Sequence, residues 1–219
     1  MNADAFDREW FARVRDAARA ATNEADPAHD FAHVLRVASN ARGIAIAERA
    51  DVAVVVTAAL LHELFNYPKN HPDSARSGEV CAERADALLR GLGFPATEIE
   101  RVAYAIRVHG FSRGIEPDTL EARVLQDADR LDAIGAIGIA RCFATCATMQ
   151  RPFYSPDDPM CRTREPDDKQ WGVDHFFRKL LLLHERMHTD TARAMAKRRA
   201  EFMRTYLNEL EIEVGTAPP

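Results

Sequence analysis

Positive charge is what this 219-residue chain lacks first: 29 Lys and Arg stand against 34 Asp and Glu, a net charge of −5 at pH 7. A chain whose main partner was nucleic acid or an anionic membrane would want a basic surface, so neither partner is expected. The basic residues between Arg193 and Arg204 spread around a helix and read as an outer face. Cysteine is also scarce. Cys81, Cys142, Cys146 and Cys161 form no C-x-x-C pair and match neither a zinc ribbon nor a disulfide scaffold. Cys142 and Cys146, one helical turn apart, read as small apolar residues. The longest apolar run, Val52 to Leu61, is too short to span a bilayer, which takes about 20 residues. The opening segment MNADAFDREWFARV is amphipathic and acidic, unlike a secretory signal. With free thiols, this leads to the expectation of a cytoplasmic protein. Neither G-x-x-x-x-G-K-[ST] nor G-x-G-x-x-G occurs, which excludes the phosphate-cradling loops those patterns encode.

What is present is helical periodicity. Phe6, Trp10, Phe11 and Val14 recur every three or four residues and give a first amphipathic helix. Asp26-Pro27 reads as a cap with proline at the first helical position of the next, which carries Phe31, Val34, Leu35, Val37, Ala38, Ala41 and Ile44. Asp51 opens a third helix, VAVVVTAALL, apolar all round and therefore central. A loop at 66–77 precedes a helix from about Gly78 to Leu89, and another runs from Thr97 to His109. Asp118 and Glu121 fit a capping box, after which Leu120, Val124, Leu125, Ala128, Leu131 and Ile134 form one stripe. Gly135 and Gly138 fall inside the helical pattern. Residues 150–170, rich in Pro and Asp, predict a mobile excursion or flap. Helices from Trp171 to Leu183 and from Thr189 to about Glu211 complete the chain. The fold class is all-α: a single-domain helical bundle over 1–219, with its core at about 25–205.

Polar residues on apolar faces mark the chemistry. His62-Glu63 closes the apolar third helix, where an unpartnered carboxylate would cost several kcal/mol, so a hydrogen-bond network or a metal must compensate. His33 lies on the inward face of the second helix. Asp127 and Asp129 interrupt the stripe of Leu125 and Leu131, either as a solvated, Arg130-paired face or as ligands. Two imidazoles with carboxylates would suit Mn, Fe, Co, Ni or Zn.

The order of these groups resembles the HD-domain superfamily of metal-dependent phosphohydrolases. Ala-His-Val-Leu-Arg-Val (32–37) looks like its first-histidine motif and Ala-Ala-Leu-Leu-His-Glu (58–63) like its second. The segment 126–141, from Gln-Asp-Ala-Asp-Arg-Leu to Ile-Ala-Arg, is similar to a bacterial subgroup that includes nucleotide pyrophosphohydrolases, as are His109-Gly110-Phe111-Ser112 and Asp174-His175-Phe176. The resemblance implies a helical bundle that binds a divalent metal ion (Mn, Fe, Co, Ni, Zn or Mg) through His33, His62, Glu63 and Asp129. Asp129 is preferred to Asp127 because Ala-Asp-Arg-Leu matches the wider superfamily. The His29-Asp30 dipeptide spells the motif but sits just ahead of it. The chain departs from the pattern at Glu63, one methylene longer than the usual Asp.

The implied activity is hydrolysis of a small phosphoester or phosphoanhydride, with nucleotides first, including cleavage of a triphosphate to monophosphate and pyrophosphate. Lys69, then Arg130 and Arg113, would offset charge on the phosphoryl oxygens, and Asp127 or Glu79 would take a proton. Asn66, Asn70, His109 and Arg113 would line the substrate. A homodimer is compatible with this reading. A second hypothesis is a catalytically degenerate module that binds metal or nucleotide for regulation. A third is a zinc peptidase through His184-Glu185-x-x-His188, which would need both histidines on one continuous helix, whereas Thr189 reads as the cap of a new one.

Overall fold

The computed structural model describes residues 3–21, 30–67, 71–110 and 114–215. Among them every regular element is helical: α1 (Ala3–Ala21), α2 (Phe31–Glu48), α3 (Val52–Leu61), α4 (Ser77–Gly91), α5 (Ala96–Val108), α6 (Leu120–Asp132), α7 (Gly135–Thr148), α8 (Asp174–Arg178) and α9 (Asp190–Glu213), with short 3-10 segments at Ser74–Arg76 and Leu180–Arg186. The all-α expectation therefore holds. No single helix among the described residues is long and apolar enough to cross a membrane. The helices form two compact units that divide within α6, between Asp129 and Arg130.

The first unit is built around α3. Residues Val54 to Leu61 are all buried, so this helix is covered on every side. It packs against α1, α2 and α5, and α5 in turn packs against α4. Asp51 starts α3 as the sequence indicates, its carboxylate accepting from the N–H groups of Ala53 and Val54 at 3.1 and 3.2 Å. The α4–α5 contact depends on Gly78. A Cβ there would stand 2.6 Å from the carbonyl oxygen of Arg107, so only glycine allows this approach.

The cap of α6 is not the one expected. Thr119 Oγ1 accepts from Ala122 N, while Asp118 bonds with the Tyr104 hydroxyl. Glu121 reaches Asp51 N and Arg101 instead of closing a box. A threonine next to an aspartate offers the same cap one residue later, and the Tyr104 hydroxyl claims the aspartate. The start expected for α2 also moves. Asp30 is its cap, accepting from His33 N at 2.8 Å, and Asp26-Pro27 lies outside the described residues.

In the second unit, α7 packs on α9, and the 3-10 segment Leu180–Arg186 packs on α8 and α9. Gly135 is a break rather than a mid-helix glycine: its φ of +79° separates α6 from α7. The helix expected over 171–183 is only the five-residue α8 followed by the 3-10 segment. The excursion at 150–170 is stapled rather than free. Asp158 caps the amides of Arg162 and Thr163, Arg162 forks onto Glu211, and Arg164 forks onto the fully buried Asp174.

Replacing Asp51 with Ala removes both cap bonds and the Arg101 ion pair. This should lower the unfolding free energy by about 1 kcal/mol in denaturant titration, since exposed pairs such as that with Arg101 add little. Burial raises the Asp51 carboxyl, but Arg101 and the two amides outweigh it and hold the group below its ordinary 3.8. The contribution is therefore complete above that value and is lost as pH falls through the lower folded one. The gap between wild type and Asp51→Ala should stay constant near neutrality and close in strong acid. A gap that widens in acid would contradict this account.

Candidate metal centre

His33 stands in the first turn of α2, and its place follows from the residue before the helix. The Asp30 carboxylate bonds the His33 amide, so the aspartate of the misplaced His-Asp dipeptide is spent on capping the turn that carries the first imidazole. The His33 side chain is completely buried.

His62 caps the C-terminal end of α3 and is 1% exposed. Its Nδ1 lies 2.7 Å from the carbonyl oxygen of Ala59. A carbonyl can only accept, so Nδ1 carries the hydrogen and Nε2 presents a lone pair. Burial, assisted by His109 and His33 and opposed by Glu63 and Asp129, pushes the His62 pKa down to about 4, so the ring is neutral at pH 7.

The lone-pair side of His62 faces His33, with the two Nε2 atoms 3.3 Å apart. Asp129 of α6 brings Oδ1 to 3.6 Å from His33 Nε2 and 4.0 Å from His62 Nε2. Glu63 brings Oε1 to 4.0 and 3.9 Å from the same atoms. Ligand atoms of His33, His62 and Asp129 all lie within 4.8 Å of one another, the one such group among the described residues. Two imidazole nitrogens and two carboxylate oxygens turned toward one point fit a divalent cation of the Mn-to-Zn series. The cluster opens to solvent at Asp129, whose side chain is 29% exposed.

Two neighbours support the group. His109 closes α5, its Nδ1 held 2.5 Å from the Ile106 carbonyl oxygen and its ring edge-on to His62 at 5.3 Å between centroids. Gln126, buried on α6, donates to the carbonyls of Val108 and Ile115 at 2.8 and 3.2 Å. It therefore ties α6 to the segment on either side of His109. In the sequence Gln126 stands within the segment 126–141 with no role evident from residue type. Its signal was an amide inside an otherwise apolar stripe.

The other candidates are placed apart from one another. Asp127 is fully buried, and two residues of α-helix turn it about 200° from Asp129, onto a different face. Glu79 is exposed in the first turn of α4 and pairs with Arg76 at 3.5 Å. Arg130 donates to the Arg186 carbonyl and meets His188 Nε2 at 3.1 Å. Asn66 is exposed. Lys69, Asn70 and Arg113 lie outside the described residues, as does His29. The His184-Glu185-x-x-His188 pattern is broken as expected: His184 is in the 3-10 segment, Met187 is extended and α9 begins at Asp190.

Exchanging Gln126 for Leu would leave the Val108 and Ile115 carbonyls without that donor. A loss of about 1–3 kcal/mol in denaturant unfolding is expected, the usual cost of orphaned buried carbonyls. A loss below about 0.5 kcal/mol would show that these carbonyls do not depend on the amide.

The HD domain family model matches residues 30–134, a span that contains His33, His62, Glu63 and Asp129. YpgQ of Bacillus subtilis (strain 168) is 36% identical over 206 residues, covering 92% of this chain and 92% of its own. The crystal structure of YpgQ in complex with ADP superposes with a TM-score of 0.72 at 34% identity, over 94% of this chain and 96% of that one. An HD-superfamily hydrolase from Bacillus thuringiensis superposes with a TM-score of 0.75 at 26% identity, over 96% and 100%. By sequence across nearly its whole length, and by helical fold, the chain belongs to the HD-domain family, whose solved members include hydrolases.

Proposed function

We propose that this protein is a metal-dependent phosphohydrolase acting on a small phosphoester or phosphoanhydride, with nucleotides first. The observation that carries the reading is the convergence of His33 Nε2, His62 Nε2 and Asp129 Oδ1, with Glu63 beside them, from three helices. A nucleotide is favoured because YpgQ, alike over nearly its full length, was crystallised with ADP. Cleavage of a nucleoside triphosphate to the monophosphate and pyrophosphate is the preferred reaction, carried by one HD-like domain spanning 1–219.

A bound divalent ion supplies Lewis acidity toward a phosphoryl oxygen and lowers the pKa of water beside it. The chain's residues do the rest. The Ala59 carbonyl holds the His62 ring so that Nε2 faces the centre, and burial keeps that ring neutral. Asp129 and Glu63 contribute negative charge that draws a cation in. His109, edge-on to His62, borders the same space. Lys69 and Arg113 are the cations assigned to the phosphoryl oxygens, and Asp127, buried behind Asp129's helix face, orients rather than reacts.

The test is a panel of nucleoside mono-, di- and triphosphates with Mn²⁺, Co²⁺, Ni²⁺ or Mg²⁺, scored for orthophosphate and pyrophosphate separately. Pyrophosphate from triphosphates is expected, falling at least about 100-fold in His62→Ala and Asp129→Ala, as loss of a group essential to the transition state requires. His184→Ala should keep wild-type turnover. Binding of nucleotide without any turnover would replace this proposal with the regulatory module. Loss of activity in His184→Ala with none in His33→Ala would move the chemistry to the second unit.

A further inference from the structure

Helix α3 ends at the residue that begins the chemistry, and the carbonyls of its last turn must find partners outside the helix. One side chain from a different helix reaches them. Cys81 of α4 places its Sγ 3.1 Å from the His62 carbonyl oxygen and 3.3 Å from that of Leu61. Within the same turn the Leu64 N–H bonds back to the Leu61 carbonyl at 3.3 Å. The turn that carries His62 and Glu63 thus folds around a single thiol, which is completely buried.

The place of Cys81 is itself fixed. Gly78, three residues earlier and so on the same side of α4, lets that helix touch the Arg107 carbonyl near the end of α5. The first turn of α4 is therefore seated against the end of α5 by backbone contact and against the end of α3 by the thiol. Those two helix ends carry His109 and His62. An ordinary core cysteine would present its sulfur to apolar neighbours. This one meets two backbone carbonyls of one turn.

We propose that Cys81 is a positioning residue for the metal centre: its thiol ties down the turn after α3 so that His62 Nε2 and the Glu63 carboxylate face the same point. The role rests on the metal-centre reading above. It predicts that what matters at position 81 is a hydrogen-bonding group, not volume alone. Serine keeps a donor and acceptor, whereas alanine and valine keep neither.

The experiment uses the full chain as wild type, Cys81→Ala, Cys81→Val and Cys81→Ser. Four quantities are read: Mn²⁺ affinity by calorimetry, the visible spectrum of the Co²⁺-loaded protein, the His62 imidazole ¹⁵N resonances after chelator treatment, and thermal unfolding. Cys81→Ala and Cys81→Val should weaken Mn²⁺ binding about tenfold, the usual cost of losing a group that orients a ligand, and Cys81→Ser should return to within about threefold of wild type. The Co²⁺ spectrum and the His62 resonances should change in the first two variants and recover in the third. If Cys81→Ala does not fold, Cys81→Val reads the same quantities with the volume filled. Variants that melt earlier but keep wild-type affinity, spectrum and resonances would reduce Cys81 to packing and overturn the proposal. Wild type that takes up no metal would sink the metal-centre reading, and the His62 resonances would then decide this one alone. Resonances moved by Cys81→Ala and restored by Cys81→Ser support it, and unmoved resonances contradict it.

Discussion

His33 and His62 hold their Nε2 atoms 3.3 Å apart and away from water, where two positively charged rings would repel strongly, so the pair cannot carry two charges at once. Much of the first unit serves that constraint. The Ala59 carbonyl fixes the hydrogen of His62 on the far side of its ring, and burial keeps the ring neutral. Two carboxylates, from Glu63 and Asp129, then supply negative charge on the open side of the pair. An all-covered helix such as α3 can end in a polar pair only if its last turn is held from outside. Cys81 and Leu64 are what hold it.

The histidines of the site therefore collect at helix ends. His33 is in the first turn of α2, His62 closes α3 and His109 closes α5. A helix end brings a side chain to the boundary between packed core and solvent, where a cation and an anionic substrate can enter while the backbone stays rigid. Asp129 comes instead from within α6, and its exposed edge is the way in. Glu63 extends from the turn that Cys81 meets, and its carboxylate lies within 4.0 Å of both imidazoles.

The sequence made the helices around the site legible because their periodicity is long and their burial lopsided. The all-apolar α3 and its Asp51 cap could be read from residue type alone. The convergence of His33, His62 and Asp129 could not, since spacing along a chain does not give distance in a bundle, and resemblance to a family had to supply it. Cys81 and Gln126 were passed over for one reason: each sits in an apolar stripe where its residue type suggests packing, and its partners are carbonyls remote in sequence. The capping error at Asp118 came from two adjacent oxygen-bearing side chains, either able to start α6. The missed break at Gly135 came from a glycine that fits both a tight crossing and a left-handed turn. The loop at 150–170 looked free because proline and aspartate mark irregular backbone. They do not reveal that Arg162 and Arg164 will find buried carboxylates.

The central claim is that His33, His62 and Asp129 hold a divalent ion in this chain. Elemental analysis of the purified protein, supplied with Mn²⁺ or Co²⁺ and then desalted, tests it most directly when run beside a His33→Ala/Asp129→Ala variant. The account predicts close to one metal ion per chain in the wild type and almost none in the variant, with both proteins folded. Wild type without metal, or a variant that retains it, would contradict the account.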